Sequence, residues 1–179
     1  LLAFLGVYGL DPGTVPEGET ARALVAQALR EYFGKLLGVD FAQVSECLML
    51  DSIEYHLFPN MFFFPGINIP MAYRFRPNGE DVDSSIFDLL ILEPLAEGVE
   101  HPEPPDPVVL DVDQSYTEVE GISWLGPVYD EDTGNLAMQT KGFKTSRKRG
   151  LTLGNYQEAR IRRVHLTLKE FLSHENSLD

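Results

Sequence analysis

Cysteine is almost absent from this chain. Among 179 residues Cys47 stands alone, so no intramolecular disulfide can form and secretion gains no support. Basic residues are scarce too: 14 Lys and Arg face 28 Asp and Glu, for a net charge of −14. That balance sets the chain against nucleic acid, whose phosphates are bound by clustered cations that release counterions. No apolar run approaches the roughly 18 residues needed to span a bilayer, and no charged segment leading into an apolar stretch opens the sequence. We therefore expect a soluble, cytoplasmic protein that engages neither membrane nor nucleic acid. Gly-x-Ser-x-Gly, Gly-x-Gly-x-x-Gly and the P-loop are missing, which leaves hydrolase, nucleotide-binding and phosphoryl-transfer readings without a motif.

What is present suits one globular domain over 1–179, since 44% of the residues are hydrophobic and a chain of this length can bury a sizeable core. Residues 11–18 form a loop rich in Pro and Gly. Ala21, Leu24, Val25, Ala28, Leu29, Tyr32, Phe33 and Leu36 recur at helical spacing, and Gly38 supplies the stop. Phe41, Val44 and Leu48 predict a second, shorter helix ending near Asp51, with Cys47 as a buried structural thiol. From Ile53 the helical period is lost. Aromatic and branched runs predict strands at about 61–65, 69–76 and 85–94, with Pro77-Asn78-Gly79 as a hairpin turn. Met71, Tyr73 and Phe75 alternate with Ala72, Arg74 and Arg76, the pattern of an antiparallel sheet covered on one side.

The stretch from His101 to Pro107 reads as a stiff extended connector within the domain. Asp113, Ser115 or Thr117 could cap an irregular helix over about 116–142. A final helix capped by Asn155 and Glu158 carries Ile161, Val164, Leu168, Phe171 and Leu172 as a buried stripe, to about Ser173. A long C-terminal helix on an antiparallel sheet is an α+β arrangement, and such a fold can leave a cavity between the two. Lys141 to Arg149 holds five Lys or Arg, and Arg160 to Arg163 follows; either a solvated surface or a docking site for an acidic partner fits.

Two phrases can carry chemistry. His56-Leu57-Phe58-Pro59-Asn60 runs into Met61-Phe62-Phe63-Phe64-Pro65-Gly66, and a histidine beside three phenylalanines can line an apolar pocket with one polar handle or simply fill a core. Asp130-Glu131-Asp132 is either an exposed acidic helix turn or the place of a metal-binding carboxylate. A facial triad of two histidines and one carboxylate holds Fe(II) and leaves positions open for O2 and substrate. The chain's histidines, His56, His101, His165 and His174, include no pair four or five apart. His56 makes a poor replacement ligand without neighbours to orient it, and the other three read as surface groups.

Taken in order, the His56–Gly66 phrase, Tyr129-Asp130-Glu131-Asp132 and the stretch from Gly150 to Arg162 resemble the catalytic domain of Rieske-type aromatic-ring-hydroxylating oxygenases, over nearly the whole chain. The resemblance implies a helix-grip, START-like fold and an oxygenase α subunit that acts on an apolar, commonly aromatic, substrate with O2, as in the catabolism of aromatic hydrocarbons. It implies Asp132 as the carboxylate ligand of a mononuclear Fe(II), and His56, Asn60, Phe62 and Phe64 as pocket wall. It also implies a homotrimer, with or without a β subunit, in which a neighbour's 2Fe–2S Rieske cluster delivers NAD(P)H electrons passed on by a reductase or ferredoxin. The sequence departs from the family at two points. The His-x4-His motif, which precedes a segment similar to Leu1-Leu2-Ala3-Phe4-Leu5-Gly6, is not present, and one cysteine cannot hold a cluster that needs two Cys and two His. The expectation is thus a catalytic-domain fragment, inactive alone, with only one of the three iron ligands. Two rival readings are a helix-grip module that binds an apolar small molecule without redox chemistry, and a protein-docking subunit.

Overall fold

A computed structural model describes residues 5, 6, 8, 13–122 and 125–175, the side chains of His174 and Glu175 excepted. The first four residues of the Leu1–Gly6 segment, Asp11 and Pro12 of the predicted loop, and the His174 side chain lie outside the described residues. The chain divides into two compact units, Leu1–Val108 and Val109–Asp179. The proline-rich stretch 101–107 ends at that division.

In the first unit, α1 spans Ala21–Leu37 and α2 Glu46–Leu50. Thr20 caps α1 by accepting from the Ala23 amide, and Gly38, at φ 67°, closes it by donating to the Gly34 carbonyl; a positive φ there favours glycine. Most of the helical stripe faces inward as its spacing predicts: Val25, Leu29 and Phe33 join Ala26, Leu5 and Met49 in one core cluster, whereas Leu36 in the last turn is 50% exposed. Val25, Leu29 and Met49 are wholly buried, each contributing about 1.5–3 kcal/mol of transfer free energy. The short α2 turns a different face from the one expected, burying Met49 and leaving Leu48 66% exposed. Cys47 is exposed rather than buried, because it lies on the outer side of this five-residue helix, where Arg22 reaches its sulfur at 3.7 Å and grips Asp51 at 2.7 and 2.9 Å.

Four strands follow: β1 Tyr55–Leu57, β2 Met61–Phe64, β3 Met71–Asn78 and β4 Asp81–Ile91. They form an antiparallel meander in the order β1-β2-β3-β4. The second unit holds a 3-10 turn at Tyr116–Glu118 and two helices, α3 Gly126–Thr145 and α4 Ala159–Glu175. The molecule is therefore α+β, with a four-stranded antiparallel sheet and long helices. No helix among the described residues is long and apolar enough to cross a membrane.

Several elements differ from the sequence reading: β4 spans Asp81–Ile91 in place of about 85–94. β1 was not expected, being three residues long. The tight loop between β3 and β4 is Gly79-Glu80, since Asn78 pairs with Asp81; only Gly79 has positive φ, the arrangement of a loop with glycine first. The helix predicted from 116 begins at Gly126 instead. Ser115 does cap, but what it caps is the 3-10 turn, and Val119 and Gly121 (φ 87°) then leave helical conformation. In α4 the stripe expected to be buried is largely exposed, Ile161 at 46% and Phe171 at 59%.

Small polar pins hold the loops. Asn68 is buried, donates to the Leu50 carbonyl at 2.7 Å and accepts at its own carbonyl from the Tyr8 hydroxyl at 3.0 Å. Burial pushes the Tyr8 phenol up to about 12, with Tyr32 adding to it. In the second unit Asp130 accepts from the Ser115 hydroxyl at 2.6 Å and the Tyr116 amide at 2.9 Å. A Cβ on Gly126 would lie 2.7 Å from the Thr117 backbone nitrogen. We expect Gly126→Ala to destabilise the second unit by about 1–3 kcal/mol through overpacking. Gly142→Ala, on the same helix with open space around it, is expected to stabilise it by about 0.5–1 kcal/mol. Urea unfolding followed by circular dichroism checks the opposite signs.

Candidate functional site

Successive side chains on a strand point to opposite faces, so register decides what the sheet presents. His56 pairs with Phe62, Phe62 with Tyr73 and Tyr73 with Leu89, giving one row; Phe64, Met71 and Ile91 give a second, and Phe75 with Phe87 a third. All of these share one face. The rings touch in series: His56 stacks on Phe62 at 4.6 Å, Phe62 meets Phe75 edge-on at 5.9 Å, and Phe75 stacks on Phe87 at 4.9 Å. Phe87 meets Tyr73 at 5.4 Å, and Tyr73 meets Phe64 at 5.0 Å. The five aromatic rings and the imidazole are only half-buried. They make a continuous aromatic surface of the kind that binds apolar ligands or partners.

Two polar groups edge this surface. The His56 Nε2 lies 3.2 Å from the Pro59 carbonyl oxygen; a carbonyl can only accept, so Nε2 carries the proton and Nδ1 of the neutral ring is left as an acceptor. Asn60 donates from Nδ2 to the Phe75 carbonyl at 2.6 Å, and its own carbonyl accepts from the Phe75 amide at 3.0 Å. Its side chain thus ties the turn before β2 to β3. Of the four pocket residues read from the sequence, His56, Phe62 and Phe64 share the aromatic face, while Asn60 is committed to holding the strands together. Sequence reasoning passed over Tyr73, Phe75 and Phe87 as ring partners. The alternation of Met71, Tyr73 and Phe75 was the available signal.

The opposite face is held by charge. Asp88 accepts from Arg74 Nε at 2.7 Å and from Arg76 Nε and an Arg76 terminal nitrogen at 2.7 and 2.9 Å. This bridges β3 to β4 behind the rings.

Asp132 lies elsewhere, on α3 of the second unit, exposed and without a hydrogen bond or ion pair among the described residues. Its neighbour Asp130 is the structural member of the acidic trio, as its bonds to Ser115 and Tyr116 show. No group of three His, Cys, Asp or Glu among the described residues is placed to hold a metal ion. The residues present therefore do not by themselves fit the iron site that the resemblance implies. His165 is exposed, as is His101. Two clefts of about 400 and 230 Å3 run along α1, lined by residues such as Tyr32 and Lys35 or Arg30 and Phe41, and neither touches the aromatic face. No protein-family model, curated protein or solved structure matches this sequence.

The charge triad sets an acid limit on the sheet. The guanidinium of Arg76, with Arg74, holds the Asp88 carboxyl down at about 2 against the pull of burial. A depressed carboxyl contributes stability that is full above its unfolded value, near about 3.9, and is lost as pH falls through the folded value. We expect thermal unfolding of the first unit to lose stability between about pH 4 and 2, with Asp88→Asn flattening that part of the profile.

Proposed function

We propose that this chain forms the substrate-facing part of a Rieske-type aromatic-ring-hydroxylating oxygenase catalytic domain, of helix-grip architecture. The aromatic sheet face is the wall of its apolar pocket. That face carries the reading: Phe62, Phe64 and Phe75 offer ring edges and faces to a flat apolar molecule, and His56 Nδ1 offers an acceptor at the rim. An aromatic hydrocarbon suits such a surface because stacked or edge-on ring pairs gain about 0.5–1.5 kcal/mol beyond the area they bury.

Asp132 supplies the carboxylate of the mononuclear Fe(II) in this reading, and its lack of a hydrogen bond or ion pair among the described residues leaves it available for that role. The two histidines the site needs are not supplied as a His-x4-His pair by this sequence. When bound, iron would supply O2 activation. The 2Fe–2S cluster, the NAD(P)H electrons passed through a reductase or ferredoxin, the trimer and any β subunit belong to the wider assembly the reading implies. A second reading, a helix-grip module that binds an apolar molecule without redox chemistry, is favoured by the missing ligand triad among the described residues.

Naphthalene binding, followed by calorimetry, is expected for this polypeptide, and Phe62→Ala should weaken it up to about tenfold. Adding Fe(II), a reductase and naphthalene to the chain alone is expected to give no hydroxylated product; product formation would show that the chain holds a complete site. In protein that carries a His-x4-His pair, Asp132→Ala should abolish tight one-to-one Fe(II) binding and leave naphthalene affinity unchanged. Fe(II) binding indifferent to Asp132 would favour the non-redox module.

A further inference from the structure

Two buried oxygen atoms of the first unit lie outside the aromatic site and are left over by the rest of the fold. The Ser52 Oγ and the Asn68 Oδ1 are both shut off from solvent, and neither has a hydrogen-bond partner among the described residues. Asn68 is only 3% exposed. Two of its other polar groups are committed: Nδ2 donates to the Leu50 carbonyl at 2.7 Å, and the main-chain carbonyl accepts from the Tyr8 hydroxyl at 3.0 Å. The first of these bonds fixes which end of the amide is oxygen, because turning the group over would set two carbonyl oxygens against each other. Oδ1 is therefore an orphan acceptor, and such a group costs stability when it leaves water unmatched.

The two atoms border one space. A Cβ on Gly66 would lie 2.5 Å from Asn68 Oδ1 and 3.5 Å from Ser52 Oγ, so both stand around the point where glycine omits a side chain. Two connections meet there. Ser52 lies between α2 and β1, while Gly66 and Asn68 lie in the turn between β2 and β3.

We propose that a single water molecule binds in this space and bridges the two, accepting from the Ser52 hydroxyl and donating to Asn68 Oδ1. A carbonyl oxygen can only accept, whereas a hydroxyl can do either, so the ligand must donate on the asparagine side. Otherwise unsatisfied buried polar groups are what hold internal waters. A cation fits poorly, since two neutral oxygens fall short of the about four to eight ligands that zinc, magnesium or calcium take. An anion would meet the negative end of the carbonyl dipole, and an apolar group would leave both atoms unmatched. The bridge ties the segment entering β1 to the turn that joins Phe64 to Met71, two members of the aromatic face. It also accounts for Gly66: a side chain there would take the water's place without its bonds. The bridge is independent of the oxygenase reading.

Oxygen-17 magnetic relaxation dispersion tests it, since it counts water molecules held by the folded chain and is blind to proton exchange from hydroxyl groups. Ser52→Ala and Gly66→Ala should each hold one long-lived water fewer than the parent. Ser52→Ala, which removes one anchor without adding bulk, should also lower the ratio of folded to unfolded chain in urea about fivefold or more. Should Gly66→Ala fail to fold, Ser52→Ala carries the test. A crystal structure should place an ordered oxygen within about 3.2 Å of both Ser52 Oγ and Asn68 Oδ1. An equal water count in the parent and in Ser52→Ala would overturn the proposal. So would a direct hydrogen bond between Ser52 Oγ and Asn68 Oδ1, or a side chain filling the space.

Discussion

The pairing of β3 with both of its neighbours is the constraint on which the first unit depends. Side-chain direction on a strand has a period of two, so a slip of β3 by one residue would send Tyr73 and Phe75 to the charged side and Arg74 and Arg76 to the aromatic one. Three devices fix the register. The Gly79-Glu80 loop sets it on the β4 side, and the two bonds between Asn60 and Phe75 set it on the β2 side. Asp88 clamps Arg74 and Arg76 across the β3–β4 pair. The aromatic face is thus a consequence of polar contacts that lie around and behind it.

Periodic features were the legible part of the sequence. The α1 stripe, with Gly38 as its stop, and the alternation along β3 are spread over many residues, so each repeats its own evidence. Short or competing signals were not legible. β1 has only three residues, and nothing local marks it apart from its pairing to β2. The start of α3 was misplaced because Ser115 is a sound cap for a helix that stops after one turn. Gly121, at positive φ, and the approach of Gly126 to the Thr117 backbone decide that break. Neither can be read from capping preference alone. Cys47 shows the same limit: its apolar neighbours suggested burial, but a five-residue helix has one inner position, and Met49 takes it.

The candidate site was legible in its ring residues and less so in its polar ones. Phe62 and Phe64 are two apart, so they had to share a face, and His56 joined them through pairing to Phe62. Asn60 and Asp130 illustrate why polar roles resist a sequence reading. Each could serve a ligand or the backbone, and in both the backbone wins: a buried or half-buried carbonyl or amide left without a partner costs about 1–3 kcal/mol. Asp132, two residues on, has no hydrogen bond or ion pair among the described residues, while Asp130 meets the demands of the 115–117 turn.

That division of labour bears on how the aromatic face can act. A surface of half-buried rings left in water carries an unfavourable hydration term, roughly 25 cal/mol for each Å2 that a ligand would cover. The rings already brace one another through contacts of 4.6 to 5.9 Å, so little side-chain freedom remains to be lost on binding. Specificity must then come from the rim, since ring faces discriminate weakly among apolar molecules. His56 is one polar group on that face, the Tyr73 hydroxyl being another, and the His56 Nε2 bond to Pro59 orients the imidazole while leaving Nδ1 to accept. A ligand carrying a hydroxyl donor at one edge of a flat apolar body would satisfy both parts of the surface at once.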